Sequence, residues 1–96
     1  MSVTLWLDTE AEETIELGPT LHFYAAFAEL ARAAGDRWLD DYPDLAGLAD
    51  QCESQEDAAP DWLAGVRKQA ARMLAAHGDD LDEGARGVLE ALTRSS

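Results

Sequence analysis

The residues best equipped for chemistry crowd one short stretch, where His77, Asp79, Asp80 and Asp82 fall within six positions. Imidazole and carboxylate both ligate metals, so a cation site is the first reading to test. The spacing argues against it, because Gly84 stands where a calcium-binding loop would supply its third ligand. Helix electrostatics accounts for the same residues without a metal: His77 suits the negative end of one helix, and the aspartates suit the positive start of the next. No metal is expected. His22 and Glu29 lie seven positions apart on one helical stretch and could act as a base with its orienting carboxylate. Nothing completes that site, since the chain has no serine-nucleophile motif, no glycine-rich phosphate loop and no second histidine at metal-binding spacing. Cys52 shares an apolar stripe with Leu45 and Leu48, which suits a small hydrophobe better than a nucleophile. As the single cysteine it also excludes an internal disulfide and any multi-cysteine zinc or iron–sulfur site. The expected activity is therefore non-catalytic and free of cofactors.

Charge carries more information than any motif. Twenty acids oppose seven bases in 96 residues, a net charge of −13. The imbalance is uneven: residues 1–50 hold 11 acids and 2 bases, net −9, and residues 51–96 hold 9 acids and 5 bases, net −4. The first base in the chain is Arg32. Asp8, Glu10, Glu12, Glu13 and Glu16 thus form a base-free acidic group, and Asp40, Asp41 and Asp44 with Asp36 form a second around Trp38. Such a surface repels phosphate backbones and anionic lipid, so direct nucleic-acid or membrane binding is not expected. It attracts a basic protein. Arg67, Lys68 and Arg72 read as a small basic patch on a long helix.

The elements that position these residues follow from periodicity and punctuation. Val3, Leu5 and Leu7 alternate with Thr4 and Trp6, the period of a strand, and Ile15 and Leu17 alternate in a second run. The polar link between them lacks the residue pair of a tight turn, which predicts a looser hairpin over residues 1–18. Gly18-Pro19 ends it, with Thr20 as the expected N-cap of a helix running to the stop at Gly35. Two adjacent apolar stripes occupy that helix: Leu21, Tyr24, Ala28 and Ala31, then Phe23, Phe27, Leu30 and Ala34. Together they predict a wide buried face. A helical turn over Arg37–Asp41 must end near Tyr42, because Pro43 disfavours the helical conformation before it. Pro43 then opens a short helix whose stripe is Leu45, Leu48, Ala49 and Cys52, completing a first helical part over 19–52.

Residues 53–59 are acidic and aperiodic, a loop or hinge. Pro60-Asp61 starts the longest helix, with Leu63, Val66, Ala70, Met73 and Leu74 inward and His77-Gly78 at its close. Asp80 and Glu83 resemble a capping box for a last helix with Leu81, Ala85, Val88, Leu89 and Leu92 inward. The short link makes residues 60–96 a helical hairpin. The expected fold is mainly α with a small β part: four or five helices, an N-terminal two-stranded β-hairpin and a C-terminal αα-hairpin in one domain, with Phe27 and Met73 in its core. No apolar run reaches the ~18 residues needed to span a bilayer, and residues 1–9 lack the pattern of a signal peptide, so a cytoplasmic location is expected.

Trp6 faces away from the apolar side of its strand, and Trp38 sits among acids; tryptophans so placed have the profile of interface anchors. The function expected from these features is binding to a basic partner protein, as an inhibitor, immunity protein or accessory subunit. Asp8, Glu10, Glu12, Glu13, Glu16, Trp38, Asp40, Asp41 and Asp44 are the candidate contact residues. A nucleic-acid mimic that occupies a DNA- or RNA-binding groove is the alternative, followed by a small enzyme or metal-binding domain.

Overall fold

Alternation, proline and glycine place the elements of this chain, and long-range packing trims them. The computed structural model describes residues 2–8, 13–54 and 56–94. Strands β1 (Ser2–Trp6) and β2 (Thr14–Pro19) form an antiparallel pair, followed by helices α1 (Thr20–Ala34), α2 (Trp38–Asp41), α3 (Pro43–Ala46), α4 (Leu48–Ser54), α5 (Pro60–His77) and α6 (Glu83–Arg94). Short 3₁₀ turns at Gly35–Arg37 and Gly78–Asp80 join α1 to α2 and follow α5. The fold is mainly helical with a small β part, as the periodicity predicts. Its radius of gyration is 12.3 Å, against about 12.5 Å for a folded domain of this length.

The hairpin buries Leu5, Leu7, Ile15 and Leu17 and turns Trp6, Thr14 and Glu16 outward. Register passes through an irregularity between Val3 and Thr4, where Val3 pairs with Gly18 and Thr4 with Glu16. Leu17 is thus the extra residue of a bulge, and Gly18 beside it has φ +96°, a conformation that glycine accepts without a Cβ penalty. The Leu7 N–H donates to the Glu13 carbonyl at 3.0 Å, so the odd residues of β1 direct their backbone groups at β2. Even residues face the opposite edge. There Asp8 N–H donates to the Ala58 carbonyl (3.1 Å) and Ala58 N–H donates to the Trp6 carbonyl (2.7 Å). Ala58 is a parallel bridge to Leu7 and is almost fully buried. The expected loop over 53–59 is therefore shorter at its start, because α4 continues to Ser54, and is pinned rather than hinged at Ala58.

Helix α1 corrects the expectation of a wide face. Phe23, Ala26, Leu30 and Ala34 are buried, whereas Leu21 is 82% exposed, Tyr24 and Ala28 are exposed, and Phe27 is only partly covered. Among the described residues, helix α1 packs mainly on α6 and β2, which cover one side of it. Thr20 lies inside the helix and Pro19 precedes it as the N-cap residue, without a side-chain cap bond. The stop at Gly35 is as expected, at φ +60°. Tyr42 ends α2 and is buried. The helix expected from Pro43 to Cys52 is two pieces, α3 and α4, separated at Gly47, with Leu45 and Leu48 fully buried and Ala49 and Cys52 partly so.

The C-terminal hairpin follows the sequence closely. Leu63, Val66, Ala70 and Met73 of α5 meet Leu81, Ala85, Val88, Leu89 and Leu92, and Leu74 packs at the edge. Each large side chain so buried contributes roughly 1.5–3 kcal/mol. The cap differs from the expected Asp80–Glu83 pair. Asp80 lies in the 3₁₀ turn, and Asp82 Oδ1 accepts the Ala85 N–H at 2.8 Å, satisfying one of the unpaired donors of the first turn. Asp82→Ala should cost about 1 kcal/mol of stability in chemical denaturation, with Asp80→Ala near neutral. The reverse order would return the cap to Asp80.

Candidate functional site

The two acidic groups predicted from sequence meet different fates. Asp8 and Glu16 of the hairpin are exposed, as is Glu13, whose carbonyl belongs to the β ladder. Glu10 and Glu12 lie outside the described residues. In the second group Asp40 is exposed, but Asp41 accepts two hydrogen bonds from Arg37, at 3.2 and 3.3 Å. The Asp41 carbonyl also accepts Arg72 Nη1 at 2.9 Å, a cation placed at the negative end of α2. The expected basic patch is accordingly divided: Arg72 reaches α2, and Arg67 is half-buried in a groove it shares with Asp8 and Glu13.

Asp44 is a packing residue. Its Oδ2 accepts Gln69 Nε2 at 3.1 Å, while Gln69 Oε1 accepts the backbone N–H groups of Asp44 and Leu45, both at 2.9 Å. Those two donors open α3, so Gln69 caps that helix from α5, 25 residues away. Sequence reading passed over Gln69. The available signal is a polar residue between Val66 and Met73 on an apolar face, together with a helix start at Pro43 whose N-cap position is Tyr42, which has no capping side chain.

Trp38 is partly buried. Its ring meets Phe27 edge-on at 5.4 Å and Tyr42 at 6.2 Å, and Phe27 stacks on Phe23 at 5.9 Å. This places it, partly buried, on the flank of the aromatic core. Trp6 is the more open of the two, at 47% exposure. It borders an open groove of about 490 Å³ between β1, the start of α1 and α4, whose walls include Thr4, Tyr24, Cys52 and Glu53. In that groove the Tyr24 hydroxyl donates to Glu53 Oε1, and this bond holds the phenol above its ordinary titration range. Burial, with the Glu53 charge beside it, pushes the Cys52 thiol up to about 11. A thiol so raised is almost wholly protonated at neutral pH and is a poor nucleophile.

The remaining chemical candidates do not converge. Glu29 binds Arg32, with Arg32 Nε donating at 3.0 Å, and the pair holds the carboxyl below its ordinary range; His22 is exposed seven positions earlier. Among the described residues no three His, Cys, Asp or Glu side chains gather as a metal-binding set. No described helix is long and apolar enough to cross a membrane. The geometry therefore offers an acidic exterior and an open groove walled by aromatic residues and one carboxylate. Comparison with known protein families, with curated proteins and with solved structures finds no match for this chain.

Proposed function

We propose that this protein binds a basic partner protein through its acidic N-terminal half and acts without catalysis, as an inhibitor, immunity protein or accessory subunit. One observation carries the reading. Both bases among residues 1–50 are tied to carboxylates three or four positions away, Arg32 to Glu29 and Arg37 to Asp41, so neither offsets the carboxylates of this half that face solvent. Asp8, Glu16, Asp36, Asp40 and Asp50 are all exposed. A field of one sign accelerates encounter with a surface of the other and disfavours like-charged competitors.

The test is a captured partner's association rate as salt is varied. The rate should fall steeply between 0.1 and 1 M salt, where the Debye length shrinks from about 10 Å to about 3 Å. Asp8→Lys with Glu16→Lys should reproduce much of that loss at low salt without unfolding the chain, since substitutions at exposed sites are usually within about 0.5 kcal/mol. Asp79→Lys with Asp80→Lys, in the C-terminal half, should matter less. Insensitivity of the rate to salt and to the hairpin reversal would reduce the acidity to surface solvation and remove the proposal.

A further inference from the structure

The outer edge of β1 is only half used. Ala58 pairs with Trp6 and Asp8 at one end. The alternation that sends the Trp6 carbonyl and the Asp8 N–H to this edge also sends there the N–H and carbonyl of Thr4 and the N–H of Trp6. Among the described residues, no backbone hydrogen bond outside the hairpin ladder reaches those groups. Thr4 and Trp6 line the groove together with Tyr24 and Glu53, beside α4, which packs on β1. An unpaired edge of this kind is a template for another strand.

We infer that this edge is the docking site for an extended, basic segment of the partner, which adds a strand to β1 from Ser2 to Trp6 in line with Ala58. Main-chain bonds to Thr4 and Trp6 would supply affinity, and alternate side chains would supply selection. Side chains on one side of such a strand meet Glu53, whose Oε2 is left by the Tyr24 bond to accept a cation. Those on the other side lie along Trp6, an aromatic face that attracts Lys or Arg. The field favours the same sign: Asp50 and Glu53 act on Tyr24 in this groove, Glu16 is the cross-strand neighbour of Thr4, and no base precedes Arg32. The inference rests on the basic-partner reading and makes it specific.

The experiment uses the full chain, isotope-labelled for amide NMR, with a peptide of about eight alternating Arg and Val residues as the probe. A strand of that length exceeds the edge, since each residue advances about 3.3 Å. In the free chain the Thr4 amide should exchange quickly with solvent, and the peptide should slow it and shift Thr4, Trp6 and Glu53. A Glu-Val peptide of the same pattern, and an Arg-Val peptide N-methylated on alternate residues, should each bind at least tenfold more weakly. Thr4→Pro, which removes an edge donor and spares the β2 ladder, should weaken binding at least tenfold, and Glu53→Arg should do so without touching the strand. Protection of Thr4 in the free chain, or no shift at millimolar peptide, would overturn the edge assignment. Shifts confined to Asp36–Asp44 would overturn it too, while leaving the basic-partner reading standing. Equal binding of the Glu-Val peptide would overturn both.

Discussion

Phe23→Ala should lower the free energy of unfolding by about 3–5 kcal/mol, and Met73→Ala by about 2–5 kcal/mol, whereas Phe27→Ala should cost markedly less than either. Phe23 and Met73 are 1% and 0% exposed, so truncating either leaves a void inside the core that the surrounding structure relaxes into only partly. Phe27, although expected in the core from its spacing, lies on the flank of α1, stacked on Phe23 and against Trp38. Truncation there opens to solvent instead of making a void, so the cavity term is small. Denaturant titration of the three variants checks the order through the midpoint at constant slope. Equal losses at Phe23 and Phe27 would mean that another surface covers the outer flank of α1.

Gln69→Ala should cost about 2–4 kcal/mol, more than is usual for a polar-to-alanine change, because it strands the N–H groups of Asp44 and Leu45 and leaves the Asp44 carboxylate without its donor. Gln69 is the one buried polar side chain among the described residues, and all of its hydrogen-bonding serves the start of α3. A companion substitution tests the geometry. A Cβ on Gly65 would stand 2.0 Å from Asp44 Oδ2, so Gly65→Ala must displace that carboxylate from Gln69 and destabilise the fold. In an Asp44→Ala background the obstacle is gone, and the same change should stabilise by about 0.5–1 kcal/mol through helix propensity. The change of sign between backgrounds is the signature of direct contact. Additive effects would show that Asp44 does not sit over Gly65.

Features that depend on near neighbours are legible in the chain alone. Alternation over Val3–Leu7 and Ile15–Leu17 marks both strands, because successive side chains of a strand leave on opposite faces. Pro43 and Pro60 open helices through their fixed φ and the restriction on the residue before them, and Gly35 ends α1 at φ +60°, which glycine accepts without a Cβ penalty. The inward stripe of α6 was legible because every apolar position on it faces one way and charged residues fill the other side. Net charge and its concentration in residues 1–50 are properties of the chain itself and do not depend on the fold.

Features that turn on residues far apart in the chain emerge with long-range packing. Two overlapping apolar stripes on α1 satisfy the helical period equally well; the arrival of α6 and β2 on one side chose Phe23, Ala26, Leu30 and Ala34 and left Leu21 in water. Nothing near Ala58 marks it as a strand partner, since its bridge depends on a β1 edge fifty residues away. Gln69 acquires its role from α3, and Asp44, which reads as one more surface acid, is drawn inward by the same bond. The acidic groups likewise looked alike as sequence. Whether a carboxylate faces solvent, pairs with an arginine or caps a helix is set by the donor within about 3 Å of it, and for Asp44 the chain brings that donor in only by folding.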